Sequence, residues 1–331
     1  MQDFDPNNAA TTEGLFGLSD EQPALVRVLP VPIDATVSFM RGTADSWKYI
    51  LRASHQVDLF HPHVESPWRE GIVLEDVPSN LRWLNTEACA LVGAARSGAA
   101  CVDEVNKIGE VVADETERFV SAAFEHNQIP AILGGDHSVP FGAHKAAAAQ
   151  FDELGILHID AHADLRPAYE GFTHSHASIF HNTMSLDISS LAQVGIRDLC
   201  EVEAQRQRDD PRIYTLTDFD IADTKARGAD LKARFVDLVE TLPESVWVSV
   251  DIDGLDPSLC PNTGTPVPGG LSWREFRVLM QALGESNKNI VGFDLCEVGP
   301  HPWDANVGAR VLFELWCWSV SSYRRRSRNH V

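Results

Sequence analysis

What most constrains the fold of this chain is a recurring alternation: a short apolar run, often β-branched, closes on Gly, Asp or Pro and is followed by a longer amphipathic stretch. Runs at 25–29, 130–133, 155–159, 192–196, 213–216, 246–250 and 290–295 read as strands. Helices are expected over 102–125, 140–150, 224–241, 273–283 and 305–318. Strands that alternate with helices run parallel, because each helical crossover returns the chain to the same end of the sheet. The expected fold class is therefore α/β on a parallel sheet. Neither an internal repeat nor a low-complexity linker divides the chain, so one domain over 23–322 is expected. It would lie between a polar lead-in, 1–22, and a basic tail, 323–331, whose four arginines read as a solvated segment.

Charge narrows the partners. The 331 residues carry 27 Lys plus Arg against 48 Asp plus Glu, a formal charge of −21. Such a surface repels phosphate backbones and anionic headgroups, so neither nucleic acid nor a membrane is an expected partner, and small cations are favoured. The start of the chain has no basic region followed by an apolar one, and no run approaches the length of a membrane span. A cytoplasmic protein is expected. The six cysteines show no C-x-x-C spacing and read as reduced packing residues.

Three of the strands end in acidic and histidine clusters, and the ends of parallel strands are where α/β sheets place ligands. The clusters are Gly134-Gly135-Asp136-His137-Ser138, Asp160-Ala161-His162-Ala163-Asp164 and Asp251-Ile252-Asp253-Gly254-Leu255-Asp256-Pro257. In extended backbone, Asp160, His162 and Asp164 project to one side, as do Asp251 and Asp253. One Asp-x-Asp alone is commonly a solvated loop end or a helix cap. Several carboxylates converging on one space repel one another, however, and divalent cations relieve that repulsion. Mixed imidazole and carboxylate donors suit Mn, Ni, Fe or Zn better than Ca, and six ligands suggest two ions with room for a shared hydroxide.

The ordered set of these motifs, followed by Gly264-Thr265-Pro266 and Gly269-Gly270, resembles the ureohydrolase family of arginase, agmatinase and guanidinobutyrase. The resemblance spans residue 25 to about 320 and implies an arginase-like three-layer α/β/α sandwich with a parallel sheet of about eight strands, assembled as a homo-oligomer, trimer or hexamer. It also implies a binuclear metal site. His137, Asp160, Asp164 and Asp251 would hold one ion, and Asp160, His162, Asp251 and Asp253 the other. The implied reaction is hydrolysis of a guanidino C–N bond by a metal-bridging hydroxide, with release of urea and an amine or ammonia. The same comparison makes His176, in Ser175-His176-Ala177-Ser178, the acid for the departing amine, with His174 its competitor. Glu297 would hold the guanidinium, its plainer reading being a surface ion pair. Asp136, Asp256 and Asp294 are expected to support the ligand loops, and His158 reads as a core or supporting histidine.

Where arginases often carry an Asn two positions beyond the last Asp of the second cluster, this chain has Arg166, a cation that argues against a positively charged substrate tail. The segments 164–172, 175–180 and 303–310 most resemble guanidine hydrolases. That branch implies guanidine as substrate and nickel as an alternative to manganese. Trp303, Phe180 and Phe172 are the expected closers of a small pocket. Agmatine, guanidinobutyrate, arginine or a biguanide are the alternatives within the class. An inactive partner subunit is the alternative outside it, disfavoured because no ligand is missing. A zinc deacetylase of related fold is disfavoured by the joint presence of His137, Asp164 and Asp253.

Overall fold

The computed structural model describes residues 13–19 and 23–329, so most of the lead-in, together with His330 and Val331, lies outside the described residues. The strands are β1 (Val26–Val31), β2 (Ile72–Leu74), β3 (Ile129–Gly134), β4 (Leu154–Ile159), β5 (Ser190–Val194), β6 (Ile213–Leu216), β7 (Ser245–Asp251) and β8 (Asn289–Cys296). All pair in parallel, in the order β2-β1-β3-β8-β7-β4-β5-β6. The strand with no sequence forecast is β2. Its three residues sit at the sheet edge and are too few to display a period.

The helices are α1 (Ser46–Ser54), α2 (Leu81–Arg96), α3 (Val102–Glu125), α4 (Phe141–Gln150), α5 (Ile179–Thr183), α6 (Glu201–Asp209), α7 (Asp218–Ala226), α8 (Leu231–Val239), α9 (Trp273–Glu285) and α10 (Pro302–Asn329). Strand alternation divides them into two layers. Val246, Val248 and Val250 of β7 and Leu157 and Ile159 of β4 point into a core shared with α8, α9 and α10. Trp247 of β7 and Leu154 and Ile156 of β4 point into the opposite core, against α2, α3, α4 and α5. Both sheet faces are covered, which is why the strands read as continuous apolar runs.

Two sequence expectations are corrected. The single helix forecast over 224–241 is broken at Gly228, whose φ of +65° suits glycine, and α8 restarts on the Asp230 carboxylate, which accepts from Lys232 N and Ala233 N. The basic tail is not a solvated end: α10 continues to Asn329. Its Arg324 Nε lies 2.9 Å from Glu70 Oε1, and Arg325 donates to Gly284 O and Lys288 O, both at 2.8 Å. All six cysteines are free thiols. No helix among the described residues is long and apolar enough to cross a membrane.

Candidate metal centre and active-site cavity

The strand order explains why motifs more than a hundred residues apart converge. β3, β8, β7 and β4 are consecutive in the sheet, so the segments leaving their C-terminal ends open onto one space. The segment after β3 supplies Asp136 and His137, and the segment after β8 supplies Glu297. Asp251 ends β7, with Asp253 just beyond it, and the segment after β4 supplies Asp160, His162 and Asp164.

His137 is buried with Nδ1 at 3.1 Å from both Asp160 Oδ2 and Asp164 Oδ2, and 3.6 Å from Asp251 Oδ2. His162 Nδ1 lies 3.2 Å from Asp253 Oδ2 and 3.4 Å from Asp160 Oδ1. Asp160 thus stands between two groups. With His137, His158 and Asp164 it gathers ligand atoms within 4.8 Å of one another, and it does the same with His162 and Asp253. The sequence placed Asp160, His162 and Asp164 on one side of an extended segment. The backbone instead leaves the strand after Ile159 and enters the left-handed region at Asp164, φ +52°, which turns His162 and Asp164 toward different groups.

The electrostatics are those of a site built for cations. Burial, then the neighbouring Asp160, pushes the Asp164 carboxyl up to about 7. Burial, then Asp253, holds Asp251 well above the usual carboxylate range. Burial works against the charge on His162, yet Asp253 and Asp160 carry it up to about 12. Nitrogen and oxygen donors gathered in buried, mutually repelling carboxylates fit divalent transition-metal ions.

The three aspartates expected to support the ligand loops make different contacts. Asp294 is buried and accepts from Trp247 Nε1 at 2.6 Å and from Ser249 Oγ at 2.8 Å. Ser249 Oγ, having given its proton to Asp294, accepts from His137 Nε2 at 2.9 Å, which leaves Nδ1 facing the carboxylates. Asp294→Asn would set an amide against one of these donors. We expect a loss of about 1–3 kcal/mol in denaturant unfolding and metal affinity weakened about 10- to 100-fold, read by competition with a chelating dye. Asp136 accepts from Ser138 N at 3.1 Å and from Thr36 N and Oγ1 at 3.2 and 3.0 Å. Asp256 accepts from Ser258 N, at 2.9 Å, and serves its own turn rather than a ligand. His158 is a supporting group: its Nδ1 faces Gln193 Nε2 at 3.0 Å and its Nε2 faces Asp160 Oδ2 at 2.8 Å.

Glu297 is buried at the rim of the cluster with φ +59°. Its Oε1 accepts from His137 N at 3.3 Å, while Oε2 is buried without a partner. A Cβ on Gly264 would lie 2.6 Å from that oxygen, which accounts for the glycine. The surface ion-pair reading of Glu297 is excluded by its burial.

Above the cluster opens a cavity of about 350 Å³ whose lining includes His162, Asp164, Arg166, Tyr169 and His176. Thr36 Oγ1 accepts from His176 N at 3.1 Å and lies 3.4 Å from His176 Nδ1. Since Thr36 donates to Asp136, its oxygen orients His176 with Nδ1–H toward it and the Nε2 lone pair free. Burial, then the charge of His162, lowers His176 to about 4, so it is neutral near pH 7. His174 packs against the Phe141 ring, 5.8 Å between centroids, and is not among the residues lining the cavity.

The expected aromatic closers are corrected. Phe180 is in the core, its ring 3.9 Å from that of His158. Phe172 packs with Val92 and Val105. Trp303 is 49% exposed at the start of α10 and donates to Ser258 O at 2.9 Å, outside the cavity lining. The aromatic groups that do line the cavity are Tyr169, within the segment 164–172 singled out in the sequence, and Phe39; the lining residues Phe39, Asp198 and Glu203 belong to no motif the sequence had marked. Ser249 and Thr36 were also missed. Ser249 had a signal, since it precedes Asp251 by two on the same strand face.

Known proteins resemble this chain along most of its length. The family model described as "Arginase family" matches residues 24–317. N(1)-aminopropylagmatine ureohydrolase of Thermus thermophilus is 32% identical over 293 residues, 87% of each chain. Proclavaminate amidinohydrolase of Streptomyces clavuligerus is 32% identical over 232 residues, 67% of this chain and 70% of the relative. The solved structure of a proclavaminate amidino hydrolase from that organism superposes with a TM-score of 0.73 at 23% identity, over 95% of this chain and 99% of the other. That of agmatine ureohydrolase from Thermoplasma volcanium gives 0.72 at 23%, over 95% and 97%. Because the family match runs through all eight strands and through every segment that delivers a carboxylate or imidazole to the cluster, the chain belongs to the arginase family.

Proposed function

We propose that this chain is a metal-dependent ureohydrolase that cleaves a guanidino compound carrying a tail into urea and an amine. The observation that carries the proposal is the continuity between the Asp and His cluster and the unpartnered Oε2 of Glu297. His137, Asp160, Asp164 and Asp251 would hold one divalent ion and Asp160, His162, Asp251 and Asp253 a second, with manganese and nickel both suited to the donors. Such ions supply a hydroxide nucleophile at neutral pH. Glu297 accepts charge-assisted hydrogen bonds from the guanidinium and holds its carbon over the cluster. His176, neutral and with Nε2 free, takes up a proton and returns it to the departing nitrogen. Residues 23–329, with the last turns of α10 included, act as one domain, and the working unit is a homo-oligomer.

The sequence favoured guanidine. Two observations favour a longer substrate: the cavity is far larger than a guanidinium, and the three aromatic side chains expected to shrink it lie elsewhere. The relatives' names point the same way, to aminopropylagmatine, agmatine and proclavaminate. A urea-release screen of protein loaded separately with Mn, Ni and Zn tests the reading, using agmatine, 4-guanidinobutyrate, arginine, a biguanide and guanidine. We expect at least one tailed compound to exceed guanidine in kcat/KM. A higher value for guanidine would restore the smaller substrate, and urea from none of them would favour an inactive partner subunit.

A further inference from the structure

Glu297 holds a backbone conformation that a residue with a Cβ seldom adopts, the left-handed region at φ +59°. Such a conformation lasts only where its surroundings fix the peptide groups on both sides. The N–H of Glu297 donates to Gly135 O at 2.7 Å. Its carbonyl accepts from Thr263 Oγ1, also at 2.7 Å, and Thr263 is buried. Turning φ to its ordinary negative value would rotate the Cβ about the N–Cα bond. The carboxylate would then leave the space beside Gly264 where Oε2 now sits.

The first turn of α10 holds Thr263 in place. Asp304 is buried there and accepts from Asn262 N at 2.8 Å, Asn262 Nδ2 at 3.0 Å and Cys260 Sγ at 3.2 Å, so the residue before Thr263 is gripped by both its backbone and its side chain. Gly299 lets this loop lie against the chain just past Glu297: a Cβ there would collide with Asn262 O and with the Asp304 carboxylate. The neighbouring hydroxyl, two residues on, has a separate partner, since Thr265 Oγ1 donates to Asp253 Oδ2 at 3.3 Å. One turn therefore reaches the metal cluster through Thr265 and the guanidinium acceptor through Thr263.

We propose that Thr263 is a positioning residue for substrate binding, a role that rests on the ureohydrolase reading, in which Glu297 holds the guanidinium. Its hydroxyl locks Glu297 in the left-handed conformation that presents Oε2 to the substrate, and Asp304 clamps Thr263 where it can do so. A misaimed carboxylate leaves the charge of the cavity unchanged but loses its charge-assisted hydrogen bonds. The loss therefore falls on substrate binding and leaves the metal cluster intact.

The test uses the metal-loaded full chain with agmatine and, in parallel, 4-guanidinobutyrate. In Thr263→Val, which keeps the side-chain shape and removes the hydroxyl, kcat/KM should fall about 10- to 100-fold, mainly through KM, with metal content at the wild-type level. Thr263→Ser should restore most of the loss, and Thr263→Ala gives the same comparison if the valine protein does not fold. Asp304→Asn, which sets an amide against the Asn262 donors, should raise KM in the same direction. A crystal structure of the valine or alanine variant should show Glu297 out of the left-handed region, or its carboxylate turned away from Gly264. An unchanged Glu297 overturns the inference, as do a wild-type KM, loss of metal, or an equal defect in Thr263→Ser. The two readings fail separately. If the wild-type protein releases urea from no guanidino compound, the hydrolase reading falls, while the variant crystal structure still decides whether the Thr263 hydroxyl holds Glu297.

Discussion

Asp160→Asn is expected to bring the metal content of the purified protein close to zero at both positions and to lower urea formation by about 10³-fold or more. Asp160 is the carboxylate common to both groups, with Oδ1 accepting from His162 N at 2.6 Å and Oδ2 facing His137 Nδ1 and His158 Nε2. The amide removes one negative charge from a buried point that both ions would share on the proposed assignment. It also sets an NH₂ against one of the two groups that donate to this carboxylate, His162 N and His158 Nε2, so the cluster loses part of its geometry. Metal analysis by mass spectrometry, alongside circular dichroism to establish folding, reads the result. Asp256→Asn serves as the control, because Asp256 holds only its own turn. A folded Asp160→Asn protein that retains two ions per chain would remove Asp160 from the shared position.

His176→Ala is expected to reduce kcat by about 10²–10⁴-fold, the usual weight of a general acid–base group, with metal content unchanged. His174→Ala should do much less, since that ring packs on Phe141 away from the cavity lining. The pH dependence carries a sign. A histidine whose conjugate acid is lowered to about 4 is neutral through the physiological range, so activity that needs its free Nε2 should hold near pH 7 and fall as pH drops toward 4. The residual activity of His176→Ala should lack that acidic limb. Equal losses in His176→Ala and His174→Ala would take the proton-transfer role away from His176.

How much of this was legible in the sequence depended on the range of the interaction concerned. Apolar runs located seven strands, because burial on both faces leaves a local compositional mark. β2 was invisible because three residues at an edge leave none. The helix at 102–125 was forecast to the residue, since its apolar stripe is long, whereas Gly228 divided a helix that periodicity alone had joined. The ligands were legible because chemistry concentrates them in short motifs at strand ends. Their division between two groups was not, since it depends on the turn at Asp164. Thr36 reaches His176 only because β1 lies beside β3, and strand order is a property of the whole chain. Trp303 misled for a related reason: its place in the sequence is near Glu297, but the first turn of α10 carries it to the surface.

The position of β8 has a consequence for how the molecule is made. It is the last of the eight described strands in chain order, yet it lies between β3 and β7 in the middle of the sheet. A nascent chain that ends before residue 289 carries the His137, Asp160 and Asp251 segments on strands whose central neighbour is missing, and both β3 and β7 expose unpaired edges. The carboxylate cluster is therefore assembled by the insertion of a late segment, with Glu297 arriving behind it and α10 closing over the outer face. Before that insertion the segments after β4 and β7, which pair directly, can lie together, whereas His137 is held to them only once β8 fills the place between β3 and β7.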